Sequence, residues 1–295
     1  MLGSAAGGGV PQWNCACPVC ALAWSGDARV ARRTQSSLAV SSDGEAFLLV
    51  NASPDLRQQI IAAPVLHPRF GLRHSPIRSV IVTNADVDHV AGLLTLRERQ
   101  AFTLHATEGT LATLAANAIF NVLAAELIER RAIALNAPFA PLPGMEVTAF
   151  ALPGKIALWL EGDHVEIGGE SETTIGLEFR SFGKRVVYAP GCARVTDALL
   201  QRAEGADVLF FDGTTFTDDE MIAHGLSQKT AQRMGHTAMS GPDGALARFA
   251  DAKIGRKIFI HINNSNPALI AGSPERRLVE DAGWELAFDG MEVAP

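Results

Sequence analysis

The chain of 295 residues is short of positive charge, of long apolar runs and of cysteine, and each shortage narrows what it can be. Lys and Arg number 25 against 32 Asp and Glu, a net charge of -7. A protein that grips nucleic acid needs a cationic footprint to displace counterions, so no nucleic-acid partner is expected. No uninterrupted apolar run approaches the roughly 18–20 residues of a membrane-spanning helix. The opening Met1-Leu2-Gly3-Ser4-Ala5-Ala6-Gly7-Gly8-Gly9 lacks the basic start and apolar middle of a signal peptide. Of four cysteines, three crowd into Cys15-Ala16-Cys17-Pro18-Val19-Cys20, a spacing that suits metal better than a disulfide framework. These features predict a cytoplasmic protein. With 47% hydrophobic residues and no break in composition, 1–295 is expected to form one domain.

What the chain does contain is a cluster of acids and a histidine at a strand-to-helix turn. Ser79-Val80-Ile81-Val82 is an apolar, β-branched run that reads as a buried strand. Ala91 to Arg99 reads as a helix, and Thr83-Asn84-Ala85-Asp86-Val87-Asp88-His89 lies between. A strand end directs side chains into a crevice, so Asp86, Asp88 and His89 are candidate site residues; the alternative is an ordinary helix cap. His261 ends the apolar run Lys257-Ile258-Phe259-Ile260, and Asp212 ends Val208-Leu209-Phe210-Phe211 on the same rim. His236, in Met234-Gly235-His236-Thr237, is a candidate general acid/base, with capping or zinc ligation as alternatives. Cys15, Cys17 and Cys20 can take three corners of a tetrahedral zinc, at Zn–S of about 2.3 Å. Asn264, His224 and His236 are candidate fourth partners. A closed thiolate site of this kind is a structural staple; the alternative is a set of small buried side chains.

The remaining pattern is strand and helix in alternation. Ser36 to Val40 and Ala46 to Val50 read as a hairpin around Ser42-Asp43-Gly44. Ser53-Pro54 opens a helix, and Phe102 to His105 reads as a strand. Glu108 to Ile128 reads as one long helix whose apolar stripe is core or a homodimer face. Met145 to Phe150 and Ile156 to Leu160 read as strands of a second sheet, and Glu161 to Glu170, with His164, as a polar hairpin or lid. His67 and His74 read as surface loop residues. The early glycines lack the Gly-Lys-Ser/Thr ending of a phosphate loop, which leaves a tight turn beside the site as the expectation.

Thr83 to Leu93 resembles the metallo-β-lactamase superfamily motif T-H-x-H-x-D-H-x-G-G-L. In that family the first two histidines serve one metal, while the D-H pair and a late histidine serve the other. Asn84 and Asp86 stand here in place of the first two, and Cys192 stands where a bridging Asp is expected. One metal position has lost its imidazoles; the other keeps Asp88, His89 and His261. Two His and one carboxylate make the facial triad of non-haem Fe(II) oxygenases, in contrast to the two-zinc hydrolases. The sequence thus looks like a hydrolase scaffold reduced to one metal.

L-G-S-A-A-G-G-G-V-P-Q-W-N-C-A-C-P-V-C, T-N-A-D-V-D-H, Y-A-P-G-C, M-G-H-T-A-M-S-G and H-I-N-N-S-N-P together resemble the pyrroloquinoline quinone (PQQ) biosynthesis protein B family along essentially the whole chain. The resemblance implies an α/β fold, an αββα sandwich of two mixed sheets between outer helices. It implies an iron-dependent hydroxylase acting on the tyrosine ring of a cross-linked Glu–Tyr precursor, a small peptide-derived substrate handled alongside other proteins of the pathway. Carried over by position, Asp88, His89 and His261 hold Fe(II), Cys15, Cys17 and Cys20 hold zinc, and Asp86, Asp212 or His236 moves protons. A soluble carrier of PQQ or its precursor toward the periplasm, and a metal-dependent hydrolase, are the alternatives. An anionic substrate calls for local cations, with Arg32, Arg33 and Lys184 as candidates.

Overall fold

The computed structural model describes residues 1–161 and 167–295; His164 lies outside the described residues. Among the described residues, twelve strands fall into two sheets. β1 (Leu38–Val40), β2 (Phe47–Val50), β3 (Ile77–Ile81), β4 (Phe102–Ala106) and β5 (Ile128–Ala132) form the first, in sequence order. β1 and β2 are an antiparallel hairpin; β2 to β5 run parallel. The second sheet holds β6 (Pro138–Leu142), β7 (Met145–Gly154), β8 (Gly169–Ser181), β9 (Lys184–Ala189), β10 (Val208–Asp212), β11 (Arg256–Ile260) and β12 (Trp284–Leu286), in order β12-β11-β10-β9-β8-β7-β6. Its β6 to β9 pairs are antiparallel, and β9 to β12 run parallel.

Parallel strands covered on both faces carry continuous apolar runs instead of alternation, and β10 shows why. Val208 and Phe210 join Leu48, Val50, Ile81, Ile258 and Ile260 in the layer between the sheets. Leu209 and Phe211 turn the other way, onto Val19, Leu199, Phe249 and Val279 of the helices beneath the second sheet. Val80 and Val82 pack outward against Leu56, Leu93 and Leu114 of the helices over the first. The result is the four-layer α/β sandwich expected of the metallo-β-lactamase fold. The C-terminal ends of β3, β9, β10 and β11 meet at one edge, where ligands bind in such sheets.

Three expectations need correction. The segment predicted as one helix over Glu108 to Ile128 is an α-helix at Glu108–Ala115 and a 3₁₀ turn at Ala118–Val122, after which Ile128 starts β5. Pairing with β4 gives Ile128 a sheet partner, and that long-range gain overrides local helix propensity. Ile156 to Leu160 is no strand: Leu158–Leu160 is a 3₁₀ turn whose Trp159 Nε1 donates to Ala85 O at 3.0 Å. After Asp88 and His89, on a one-turn helix at Val87–Val90, the chain runs on as 3₁₀ over Ala91–Arg97. Gly92 donates to Ala52 O, and a Cβ there would stand 2.1 Å from Ser53 O, so only glycine allows this approach.

Candidate metal centre

The loop after β3 is held before it holds anything else. Asn51, with a left-handed φ of 61°, accepts from Thr83 N at 2.9 Å and from Thr83 Oγ1 at 3.1 Å. Ala52 N in turn donates to His89 O at 2.7 Å. Asn84 Oδ1 accepts from Asp86 N at 3.0 Å and lies 2.7 Å from His89 Nδ1. The amide oxygen can only accept, so Nδ1 carries the proton and Nε2 is a bare lone pair. That Nε2 is buried with no hydrogen-bond partner, an omission that ordinarily costs about 1–3 kcal/mol.

His261 approaches from the other sheet. It leaves β11 with φ 54°, a left-handed conformation uncommon outside glycine and typical of functional sites. Its Nε2 is 3.1 Å from Asp88 Oδ2, and its Nδ1 is 3.0 Å from Thr214 Oγ1. Asp88, His89 and His261 bring one ligand atom each to within 4.8 Å of one another. Burial works to raise the Asp88 carboxyl, but the charges of His89 and His261 and the His261 hydrogen bond hold it well below the usual carboxylate range. Burial pushes His89 down, and charge on His261 adds to it; at His261 burial opposes, but Asp88 wins and the imidazole rises. Two imidazoles, one ionised carboxylate and an orphaned lone pair are the donor set a divalent cation needs, so the residues present fit a metal.

Asp212 and His236 adjoin this group. Asp212 Oδ2 is 2.8 Å from His236 Nδ1 and 3.1 Å from Cys192 N, and its Oδ1 accepts from Thr214 N and Oγ1. Burial pushes Asp212 up, and the charge on His236 brings it down further. The His236 ring stacks on His261 with centroids 5.3 Å apart, and Asp212, His236 and His261 form a second convergent group sharing His261. Asp86 is half-buried, and its charge acts on both His89 and His261. Cys192 is fully buried, its thiol donating to Arg194 O at 2.9 Å, and it belongs to neither group. A Cβ on Gly7 would touch Asp88 at 3.5 Å, which places the early glycine turn beside the site.

The thiols of Cys15, Cys17 and Cys20 also lie within 4.8 Å of one another. Of the three proposed fourth partners the structure brings one: Asn264 Nδ2 is 3.2 Å from Cys15 Sγ and from Cys20 Sγ, and Asn264 O is 3.4 Å from Cys17 Sγ. His224 is exposed, and His236 is engaged by Asp212. Burial pushes the Cys17 thiol up to about 12 and raises Cys20; at Cys15 burial opposes, but hydrogen bonds with Cys17, Cys20 and Asn264 win and the thiol is lowered. A coordinated thiol ionises outright. Three soft donors in an enclosed pocket fit zinc.

Of the cations suggested for substrate, Arg32 is exposed and the other two are engaged elsewhere. Arg33 is buried, donating to Ser4 Oγ and Ala287 O, and Lys184 pairs with Asp207 at the far end of β9. The orienting roles of Asn84, Asn51 and Thr214 are not legible in the sequence; an amide at a superfamily His position is the one hint.

The family description Beta-lactamase superfamily domain matches residues 47–262. Coenzyme PQQ synthesis protein B of Methylobacterium sp. (strain 4-46) is 61% identical over 293 residues, 99% of this chain and 98% of its own length. A crystal structure of Zn(2+)-bound PqqB from Methylobacterium extorquens superposes with TM-score 0.98 at 59% identity, covering 100% of this chain and 98% of that one. A diphosphatase from the PhnP family shares the fold, with TM-score 0.69 at 20% identity over 100% of this chain and 96% of that one. With sequence, architecture and full-length coverage in agreement, the chain belongs to the coenzyme PQQ synthesis protein B family, within the β-lactamase superfamily.

Proposed function

We propose that this chain acts in PQQ biosynthesis as a metal-dependent oxygenase, hydroxylating the tyrosine ring of a cross-linked Glu–Tyr precursor. The observation that carries the reading is the Asp88, His89 and His261 group, which of the two convergent groups sharing His261 is the one that holds the bare His89 Nε2, beside a position whose superfamily imidazoles are replaced by Asn84 and Asp86. Asp88, His89 and His261 would hold Fe(II), which supplies activation of dioxygen when bound. Asn84 and Thr214 keep the proton on the Nδ1 of each imidazole, which points Nε2 at the metal. Ring hydroxylation puts one oxygen atom of dioxygen into a C–H bond, while the other leaves as water after taking two protons and two electrons from a two-electron reductant supplied in solution. The ring proton lost as aromaticity returns needs an acceptor. The Asp212–His236 pair is suited to it: Asp212 holds Nδ1–H and leaves Nε2 to take and return a proton. Asp86, half-buried and electrostatically coupled to both imidazoles, is a second proton carrier.

Cys15, Cys17 and Cys20 would hold zinc as a staple, in keeping with the zinc-bound relative. Among the described residues no helix is long and apolar enough to cross a membrane, and we place the reaction in the cytoplasm, in one domain whose two sheets each contribute ligands. The test is incubation of anaerobically prepared, Fe(II)-loaded protein with the tyrosine-derived precursor and labelled dioxygen. Label is expected in the ring, and it should vanish in Asp88→Ala and His261→Ala together with bound iron. Oxygen drawn only from water, with full activity under zinc and no dioxygen, would establish a hydrolase instead. Tight binding of PQQ without turnover would favour a carrier.

A further inference from the structure

Lys155, Lys229 and Arg233 converge on one carboxylate. Lys155 Nζ is 2.8 Å from Glu161 Oε1, and Arg233 Nη2 and Lys229 Nζ are 3.6 and 3.9 Å from Glu161 Oε2. Three cations around one anion leave a local positive excess in a chain whose net charge is -7. As a structural lock the arrangement is incomplete: Lys155 satisfies Glu161 Oε1, but Arg233 Nη1 is buried without a hydrogen-bond partner.

Its position ties it to the metal centre. The Lys155 side chain lies against Gly235, one residue before His236, with Cγ 3.2 Å from where a Cβ would stand. Trp159, two residues before Glu161, is hydrogen-bonded to Ala85 between Asn84 and Asp86. Beside the cluster opens a cavity of about 580 Å³, whose lining includes Gly168, Gly169, Arg194 and Arg233. Its volume suits a small aromatic acid, and Arg194 adds a further cation to the wall.

We infer that Lys155, Lys229 and Arg233 form a carboxylate-binding subsite for the substrate beside His236, occupied in the free protein by the chain's own Glu161 and yielded to a carboxylate of the ligand. The inference rests on the reading of the substrate as a peptide-derived acid, and it supplies the cations that Arg33 and Lys184 do not. Glu161 acts as an internal competitor: it screens the three cations from unrelated anions and sets a threshold that only a polycarboxylate overcomes.

The probe is PQQ itself, an aromatic tricarboxylate, titrated calorimetrically into zinc-loaded protein with no dioxygen or turnover involved. Glu161→Gln removes the competitor and should tighten binding about tenfold. Arg233→Gln and Lys155→Gln should weaken it about ten- to a hundredfold, as loss of a charge-assisted hydrogen bond does. The trimethyl ester of the probe should bind weakly and equally to all of them. Weaker or unchanged binding by a folded Glu161→Gln variant, or full affinity for the ester, overturns the subsite. If Lys155→Gln fails to fold, the more exposed Lys229→Gln carries the same test. Because the readout is binding alone, failure of ring hydroxylation leaves this result standing. An unchanged Kd across the variants sinks the subsite without touching the oxygenase.

Discussion

Two clusters of three donors stand a few residues apart on this scaffold, and they are built in opposite ways. The cysteines Cys15, Cys17 and Cys20, each buried or half-buried, come from six consecutive residues, with Asn264 as the one distant contributor. Asp88 and His261 are 173 residues apart and belong to different sheets. Burial keeps two of the thiols neutral, while the imidazoles keep the Asp88 carboxylate ionised. The first cluster is therefore formed by local chain geometry, and two of its three thiols ionise only when a metal binds. The second is charged and preorganised in advance, with Asp88 still partly exposed. Both hang on one turn: His261 serves the second cluster and Asn264, three residues on, serves the first. An enclosed soft-donor site suits a staple, and an open site with a neighbouring proton carrier suits chemistry.

The sharpest way to separate the two roles begins with His236. If it moves protons and holds no metal, His236→Ala should keep the iron bound at Asp88, His89 and His261 while turnover falls by about 10²–10⁴-fold. Iron loss in that variant would make His236 a ligand and merge the two groups that share His261. Cys17→Ser tests the other cluster. It should release one zinc per chain and lower the thermal midpoint by about 5 °C or more, in keeping with a loss of roughly 2 kcal/mol. Because His261 and Asn264 share a turn, iron affinity should weaken only slightly, by up to about tenfold. Unchanged zinc content and midpoint would reduce the cysteines to buried hydrophobes.

The last expected effect appears only as a pH dependence and concerns Glu220, which braces that turn. It accepts from Ser265 Oγ at 2.5 Å and from Phe216 N at 2.6 Å, and burial lifts its carboxyl to about 7. Between its ordinary value and about 7 the folded protein holds a proton that the unfolded chain has released. Stability from this group is thus complete below pH 4.5 and is lost as pH rises through about 7. The loss is about 3 kcal/mol at most. Glu220→Gln cannot titrate, so its urea midpoint should gain on the wild type between pH 5 and pH 8. Parallel profiles for the two proteins would show that Glu220 carries no such proton.

Much of the candidate site was legible because its residue types are improbable in bulk structure. C-x-C-x-x-C names its own cluster, and a D-H pair at the end of the apolar run Val80 to Val82 names a rim. Helix boundaries were the least legible. Nothing within Glu108 to Ile128 marks where helix gives way to sheet, because the decision is made by the β4 edge that Ile128 joins. In the same way Ile156 to Leu160 has strand composition, but Trp159 finds its hydrogen-bond partner at Ala85, outside any sheet.

By itself, then, the sequence determined the donor types, the α/β alternation and the loss of one imidazole pair, since these depend on residue identity and short spacing. Only the tertiary structure decided which donors meet. It aimed His261 at Asp88 through a left-handed turn, set Asn84 and Thr214 against the Nδ1 atoms of His89 and His261, turned Cys192 into the core, and gathered Lys155, Lys229 and Arg233 where no stretch of sequence is basic. The reason is physical: covalent spacing controls neighbours a few residues apart, whereas contacts between the ends of strands from two sheets follow from how their buried faces close on each other.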